Sequence, residues 1–362
     1  MKAILFSGGI ALILSLLGTR TAITLLARAG YGQEIRDDGP TTHHTKRGTP
    51  TMGGIVIVGA SVSAYFAAKL LTHSTPSASA LLLLFLFVGM AMVGFLDDFI
   101  KIVKQRSLGL RSKAKVIGQA VVALTFAVVS LSPRLADAGG RTPASSSISF
   151  LRDVSWLALP MGVAVVFIWF IVTAESNAVN LTDGLDGLAT GASVMVFGAY
   201  TLIGIWQNNQ SCVLNPTQAN CYDVRDPLDL AVIAAAITGA CFGFLWWNAP
   251  PAKIFMGDTG SLSLGAALAG LAVLTRTELL LIILGGLFVA VTLSVILQVG
   301  WFKATRRVTG VGKRLLRMAP LQHHFELLGW EQVTVVIRFW IITGLCVAAG
   351  IGVFYAEWVA RS

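Results

Sequence analysis

The sequence predicts an all-α polytopic membrane protein with about ten transmembrane helices. Of its 362 residues, 55% are hydrophobic and 12% are charged, whereas a soluble chain usually carries roughly twice that charged share. Apolar stretches of about 20 residues recur along the chain, and each is long enough to cross a bilayer. These stretches are continuous, which excludes a membrane β-barrel, because barrel strands alternate apolar and polar residues in short segments.

The first apolar stretch, MKAILFSGGIALILSLLG, has the composition of a signal peptide. It continues to about Ala27 with only Arg20 interrupting, and it has no convincing small-x-small cleavage site, so we predict a first spanning helix. A helix bundle of this kind predicts a single domain over residues 1–362. The predicted spans are 3–27, 53–72, 79–97, 115–133, 158–173, 188–206, 229–247, 261–275, 279–301 and 333–355.

The positions of Lys and Arg predict the orientation of these spans. Ten spans place both termini on one side, and the connections then form two alternating sets. One set, extended by the boundary residue Lys115, holds most of the 27 Lys and Arg residues, so the positive-inside rule makes it cytoplasmic and both termini external. The net charge of +9 is therefore no indication of nucleic-acid binding. The cytoplasmic set comprises 28–52, 98–114, 174–187, 248–260 and 302–332.

Cys212 and Cys221 share a predicted external connection, 207–228. An oxidising compartment permits a disulfide there, and two unrelated free cysteines are the alternative. The sequence leaves both open.

Five unusual polar stretches all fall in or beside the predicted cytoplasmic connections. Ionisable groups at membrane depth are costly and usually functional, so their convergence on one face predicts an active site. The stretches are HTKRGTPTMGG (44–54), GFLDDFIK (94–101), AVNLTDGLDGLA (178–189), NAPPAKIFMGDTGS (248–261) and MAPLQHHFELLGW (318–330).

Asp97 and Asp98 end an apolar run, where the negative end of a helix dipole disfavours anions. Two adjacent carboxylates at that position need a cation. Mg²⁺ is one source, since it takes carboxylate oxygens and keeps substrate phosphates as further ligands. The alternative is a hydrated interfacial pair balanced by Lys101 and Lys104.

Asp258 stands between Gly257 and a following Thr-Gly pair. An Asp before an apolar helix is commonly an N-cap, which is the structural interpretation. The functional interpretation rests on Gly257 and Gly260, which let a phosphate-bearing ligand approach the backbone.

Asn180, Asp183 and Asp186 are spaced by three, which on a helical turn puts them on one face, unless they cap a turn. His323 and His324 are adjacent, so on a helix they point in different directions and do not chelate one ion together. Either one can contact phosphate or transfer a proton, and an interfacial basic patch is the alternative.

Together these motifs resemble the phospho-N-acetylmuramoyl-pentapeptide transferases, a family of polyprenyl-phosphate hexosamine-1-phosphate transferases. KRGTPTMGG, GFLDDF, NLTDGLDGLA, IFMGDTGS and MAPLQHHFELLGW occur in the family's order, and the resemblance covers essentially the whole chain. It implies transfer of phospho-N-acetylmuramoyl-pentapeptide from its UDP carrier to undecaprenyl phosphate with Mg²⁺, giving lipid I and UMP. It also implies a homodimer in the bacterial cytoplasmic (inner) membrane, with periplasmic termini and a cytoplasmic active site.

The resemblance assigns roles to residues of this sequence. Asp258 is the implied Mg²⁺ ligand, and Gln322 departs from the family, which usually has three consecutive histidines where this chain keeps only two. The implied catalytic residues are Asp97, Asp98, Asp258, His323 and His324. The implied nucleoside pocket is formed by Asn180, Asp183, Gly184, Leu185 and Asp186, with Phe255 stacking on uracil. The other implied substrate contacts are Lys46, Thr51, Lys115, Asn248 and Gln298.

Three other functions are compatible with parts of this pattern. A sister enzyme using a UDP-N-acetylhexosamine donor shares the DD and NxxDxxD motifs, but should lack PTMGG and MAPxxHHFE. A cation-coupled transporter holds Asp and His near the midplane on interrupted helices, whereas these residues are predicted at one rim. A structural scaffold leaves their clustering unexplained. For the enzyme, both a direct displacement and an aspartyl-phosphate intermediate are open.

Overall fold

A computed structural model describes residues 1–28, 48–104, 109–215 and 221–361 of the chain. Within these ranges, ten helices are long and apolar enough to span a membrane, which confirms the predicted number. They are α1 (Lys2–Arg28), α2 (Gly54–Leu71), α3 (Ala78–Val103), α4 (Ser112–Ser130), α5 (Met161–Thr182), α6 (Leu188–Asn209), α7 (Pro227–Asn248), α8 (Gly257–Leu274), α10 (Gly286–Thr309) and α12 (Gln332–Arg361).

Four short elements complete the described structure. Two are the helices α9 (Glu278–Leu284) and α11 (Leu321–Glu326), and a 3-10 turn covers Pro133–Leu135. The fourth is an antiparallel hairpin of β1 (Ser147–Ser149) and β2 (Asp153–Ala158), which the all-α prediction did not include. Its strands lie in a connection and are too short to register as a separate apolar pattern.

The helix α8 lies at the centre of the bundle and is buried on almost every face. Its sequence, GDTGSLSLGAALAGLAVL, is rich in small residues, which let neighbouring helix backbones approach closely. At Gly94, on α3, any side chain would clash with the backbone of Asp258 and Thr259. The first turn of α8 is therefore held directly against the last turns of α3.

Several predicted spans end too early, and this changes the position of site residues. The helix α3 continues to Val103, so Asp97 and Asp98 lie within its last two turns and not at its end. The helix α5 continues to Thr182 and includes Asn180, and the predicted span 279–301 is divided into α9 and α10 at Gly285. Hydropathy marks only the lipid-facing part of a helix, whereas paired polar residues allow a helix to continue beyond it.

Cys212 and Cys221 form a disulfide, which settles the alternative that the sequence left open. The bond lies at the end of the bundle opposite to the residues described below. Beside it, Arg152 donates to the carbonyl of Cys221 and pairs with Glu357 of α12 at 3.2 Å. These contacts tie the last helix to the connections at that end.

Candidate active site

Three carboxylates meet where α3 approaches the first turn of α8. One oxygen each from Asp97, Asp98 and Asp258 lies within 4.8 Å of the others. Asp97 and Asp98 are buried, and Asp258 is partly exposed. The structure therefore brings together the three acidic residues predicted to be catalytic, although about 160 residues separate the first pair from the third.

Asp98 caps the N-terminus of α8 from a neighbouring helix. It accepts hydrogen bonds from the backbone N–H of Asp258 at 3.1 Å and from the N–H and hydroxyl of Thr259 at 2.9 and 2.8 Å. These N–H groups have no partner within their own helix, and a carboxylate is favoured at this positive end. Asp258 is itself in the first turn, after Met256 at the N-cap, so the interpretation of Asp258 as the N-cap is wrong.

Two lysines neutralise the carboxylate cluster. Lys101 Nζ lies 2.6 Å from Asp97, 2.9 Å from Asp258 and 3.4 Å from Asp98. Lys115 Nζ lies 2.6 Å from Asp258 Oδ2, the oxygen that Lys101 also contacts. Three carboxylates and two ammonium groups leave a formal charge of −1 before any substrate binds.

The donor set fits a divalent cation such as Mg²⁺. Carboxylate oxygens are hard ligands, and here they converge on one point from two helices. Lys101 Nζ already stands at that point, within 3.4 Å of all three carboxylates, so the site stabilises positive charge there. Asp97, Asp98 and Asp258 are the residues that would hold the ion, and the Lys101 ammonium is the group that would move aside.

The predicted shared face of Asn180, Asp183 and Asp186 is wrong, because α5 ends at Thr182 and the three residues diverge. Asn180 Nδ2 donates to Asp258 Oδ1 at 2.7 Å and joins the carboxylate cluster. Asp186 instead accepts from the N–H of Ala252 at 3.1 Å and fixes the connection before α8.

Asp183, with Gly184 and the buried Leu185, forms the turn between α5 and α6. Burial raises the pKa of Asp183 well above its usual range, and the negative charges of Asp258, Asp98 and Asp186 raise it further. A protonated Asp183 carboxyl can donate a hydrogen bond as well as accept one.

The PTMGG segment packs beside the cluster. The N–H groups of Gly53 and Gly54 donate to the carbonyls of Phe255 and Met256 at 2.9 and 2.8 Å, and the N–H of Phe255 donates to Pro50 at 2.8 Å. Buried Thr51 and partly exposed Phe255 are thereby placed at the approach to Asp258. Lys46, predicted as a further contact, lies outside the described residues.

The side-chain amides of two predicted substrate contacts, Asn248 and Gln298, form hydrogen bonds within the protein. Asn248 accepts from the Thr190 hydroxyl at 2.7 Å and donates to the carbonyl of Ile254 at 2.9 Å. Gln298 donates to the carbonyl of Leu316 at 3.1 Å and accepts from its N–H at 2.8 Å. In this structure both residues hold connections in place.

The two histidines of α11 bond to different partners, as predicted. His323 Nδ1 lies 2.7 Å from Glu326 Oε2, and His324 Nδ1 accepts from the N–H of Arg317 at 3.1 Å. The turn of α11 that carries His323 lies against Gly184, next to Asp183.

Comparison with known proteins agrees with this geometry. The family model described as Glycosyl transferase family 4 matches residues 80–276, and a phospho-N-acetylmuramoyl-pentapeptide-transferase signature matches residues 46–58. A relative from Nocardioides sp. named phospho-N-acetylmuramoyl-pentapeptide-transferase is 73% identical over 362 residues, covering 99% of this chain and 100% of the relative. Relatives of that name from Streptomyces avermitilis and Cutibacterium acnes are each 62% identical, covering at least 99% of both chains. The chain belongs to the phospho-N-acetylmuramoyl-pentapeptide transferase family.

The matched regions of this transferase family coincide with the site. The signature covers the segment that bonds to Phe255 and Met256, and the broader family match includes all three clustered carboxylates. Both matches therefore fall on the residues that the fold brings together.

Sequence reasoning missed several residues that build this candidate site. Lys101 was considered only as a counter-charge, although its spacing of three and four residues from the two aspartates on α3 indicated a direct contact. Glu326 stands three residues after His323, and that spacing on a helix was an available signal. Ser261 also shares the amide of Asn180, at 2.8 Å, and only the packing of α5 on α8 reveals this contact.

Proposed function

We propose that this chain transfers phospho-N-acetylmuramoyl-pentapeptide from UDP-N-acetylmuramoyl-pentapeptide to undecaprenyl phosphate, forming lipid I and UMP. The observation that carries the proposal is the cluster of Asp97, Asp98 and Asp258 around Lys101 Nζ at one end of a membrane-spanning bundle. Phosphoryl transfer depends mainly on positioning and charge neutralisation, and this cluster supplies cationic and metal-binding groups at one point. The names of the full-length relatives support the donor that we propose.

In the proposed reaction, an oxygen of the lipid phosphate attacks the sugar-linked phosphorus of the donor. The bond from that phosphorus to the bridging diphosphate oxygen breaks, and UMP leaves with that oxygen. A phosphate monoester with a second pKa near 6 is mostly dianionic at neutral pH, so little is gained from a general base. We therefore assign Asp97 the role of holding positive charge beside the attacking phosphate, because a carboxylate by itself repels a dianionic phosphate.

The remaining residues hold charge and geometry. Mg²⁺ bound by the carboxylates would neutralise the charge that develops on the diphosphate. Lys115 adds positive charge beside Asp258, and Asn180 fixes the orientation of the Asp258 carboxylate. The turn with Asp183, Gly184 and Leu185, together with Phe255, forms the proposed nucleoside pocket.

The hydrogen bonds of Asp98 favour a direct displacement over an aspartyl-phosphate formed on this residue. Its Oδ2 accepts two bonds from Thr259, and its Oδ1 accepts the N–H of Asp258. A covalent bond to phosphorus at either oxygen would remove the cap from α8. Asp98 is accordingly a residue that positions Asp258.

We place the protein in the bacterial inner membrane as a homodimer, with both termini periplasmic and the carboxylate cluster cytoplasmic. The described helix ends that the basic connections join lie at the end of the bundle that holds the cluster, and the disulfide lies at the opposite end, as expected if that end faces an oxidising compartment. Asp97 and Asp98 lie in the last two turns of α3 and Asp258 lies in the first turn of α8, which suits a substrate from the cytoplasm better than the midplane position expected in a transporter.

The test uses the full chain purified in detergent with Mg²⁺, undecaprenyl phosphate and one of two donors. The donors are UDP-N-acetylmuramoyl-pentapeptide and UDP-N-acetylglucosamine, and the readouts are UMP release and the lipid-linked product. Turnover with the pentapeptide donor only, abolished by EDTA, is the expected result.

Turnover with the hexosamine donor would assign the protein to the sister activity. A folded protein inactive with both donors would refute the proposed transferase activity. Asp258→Asn serves as the negative control, because it removes one anionic ligand while keeping an acceptor for Asn180.

A further inference from the structure

Gln322 fastens α11 to the last turn of α5, next to the turn that carries Asp183. Its Nε2 donates to the carbonyl of Leu181 at 2.9 Å, and the residue is completely buried. The amide orientation is fixed by this contact, because the flipped amide would place Oε1 against a carbonyl oxygen. Gln322 Oε1 is buried and has no hydrogen-bond partner within the described residues, so the donor nitrogen is the functional half of this side chain.

The two elements are in direct contact at Gly184. A Cβ placed on Gly184 would lie 2.9 Å from Gln322 Nε2 and 3.0 Å from His323 Nε2, so a side chain there would require these two side chains to shift. The position of His323 relative to the Asp183 turn therefore depends on how closely α11 is held.

Glu326 fixes the orientation of the His323 ring. Its Oε2 lies 2.7 Å from Nδ1, and both side chains are nearly buried, at 12% exposure for His323 and 8% for Glu326. A carboxylate at Nδ1 holds the proton there, so the neutral ring carries its lone pair on Nε2. Nε2 is the nitrogen that faces Gly184.

From these contacts we infer that Gln322 and Glu326 are positioning residues that act through His323. Gln322 supplies the N–H donor that holds α11 on the turn, and Glu326 aims His323 Nε2 at the adjacent nucleotide-sugar donor. The inference rests on the proposed transferase function. It also explains how glutamine replaces the family's first histidine, since either side chain can present an N–H to Leu181.

The first test compares Gln322→Met with Gln322→His. Methionine matches glutamine in length but has no donor, so we expect kcat to fall about tenfold, the scale of one buried hydrogen bond. Histidine restores the donor, and we expect Q322H to recover most of the turnover that Q322M loses. The KM for the donor and the melting temperature are measured for both variants, because a merely structural role would lower stability in proportion to activity.

The second test is a double-mutant cycle of Glu326→Ala and His323→Ala. If Glu326 acts through His323, E326A lowers kcat in the wild-type background and has no further effect in the H323A background. Glu331→Ala is the matched control, because Glu331 is an exposed carboxylate in the same connection.

Wild-type turnover is measured first, so that failure of the proposed function is distinguished from failure of this inference. Full activity of Q322M or of H323A would overturn the inference. So would a Q322H variant as impaired as Q322M, or additive losses from E326A and H323A. If Q322M melts early, the Glu326 cycle decides the question by itself.

Discussion

Replacing Lys101 with Met tests whether this ammonium holds the place of a metal ion. The substitution keeps the length and apolar stem of the side chain but removes the positive charge among three carboxylates. The remaining cation is Lys115, which is 2.6 Å from Asp258 and 4.0 Å from Asp97. We expect K101M to be unstable without a divalent cation and to be rescued by one.

The magnitude follows from the contacts of Lys101, at 2.6, 2.9 and 3.4 Å. At an effective dielectric constant of about 20, each gives roughly 5–6 kcal/mol of attraction. Desolvation cancels most of this, and removing one partner of a buried ion pair costs about 3–5 kcal/mol. Because Lys101 is 31% exposed, we take the lower figure, about 3 kcal/mol. At roughly 2 °C per kcal/mol for a chain of this size, the melting temperature falls by about 6 °C.

The assay is thermal unfolding of the purified protein at one scan rate, in EDTA and in excess Mg²⁺. A ligand at about a hundred times its Kd stabilises by about 2.7 kcal/mol, so Mg²⁺ should recover most of the loss in K101M. The wild type should gain less, because Lys101 competes for the same position. Lys104→Met, at an exposed residue just after α3, is the control and should match the wild type. The reasoning is refuted if K101M and the wild type have the same melting temperature in EDTA, or if Mg²⁺ raises the melting temperature of K101M no more than that of the wild type.

Three further predictions concern other parts of the molecule. Asp98→Asn should lower kcat by about a hundredfold, which is the scale of one preorganised charged group, and should change the KM for the donor much less. Steady-state kinetics that show equal effects on kcat and on the KM for the donor would contradict this role. The pKa of Asp183 is raised in the folded state, so ionisation of Asp183 lowers the stability of the protein as the pH rises above the usual aspartate pKa of about 4. Asp183→Asn should therefore flatten the pH dependence of the melting temperature above that pH. An unchanged profile would count against the raised pKa. Replacing Cys212 and Cys221 by Ser should destabilise the protein by about 2–3 kcal/mol, because the disulfide closes a loop between residues nine positions apart in the sequence. The measurement is thermal unfolding under non-reducing conditions. Equal melting temperatures of the variant and the wild type would show that the disulfide does not contribute to stability.

The resemblance to the transferase family implied the catalytic set of the candidate site, whereas the contacts of several individual residues could not be predicted. Asp97, Asp98 and Asp258 were predicted as one catalytic set, and the structure brings them together. However, Asp98 can cap α8 only because α3 and α8 approach each other closely, and Gly94 permits this approach. Similarly, Asn180, Asp183 and Asp186 have helical spacing, but the end of α5 at Thr182 sends them to different partners.

The sequence by itself determined the membrane class, the number of candidate spanning helices in the described ranges and the presence of acidic motifs beside the ends of the apolar runs. Continuous apolar runs and clustered polar motifs are local properties, so they are visible without a fold. Only the tertiary structure decided that Lys101 stands among the carboxylates, that Cys212 bonds to Cys221, and that Gln322 holds α11 against Gly184. The physical reason is that these contacts depend on which small residues let two backbones meet, and on how far each helix continues beyond the lipid.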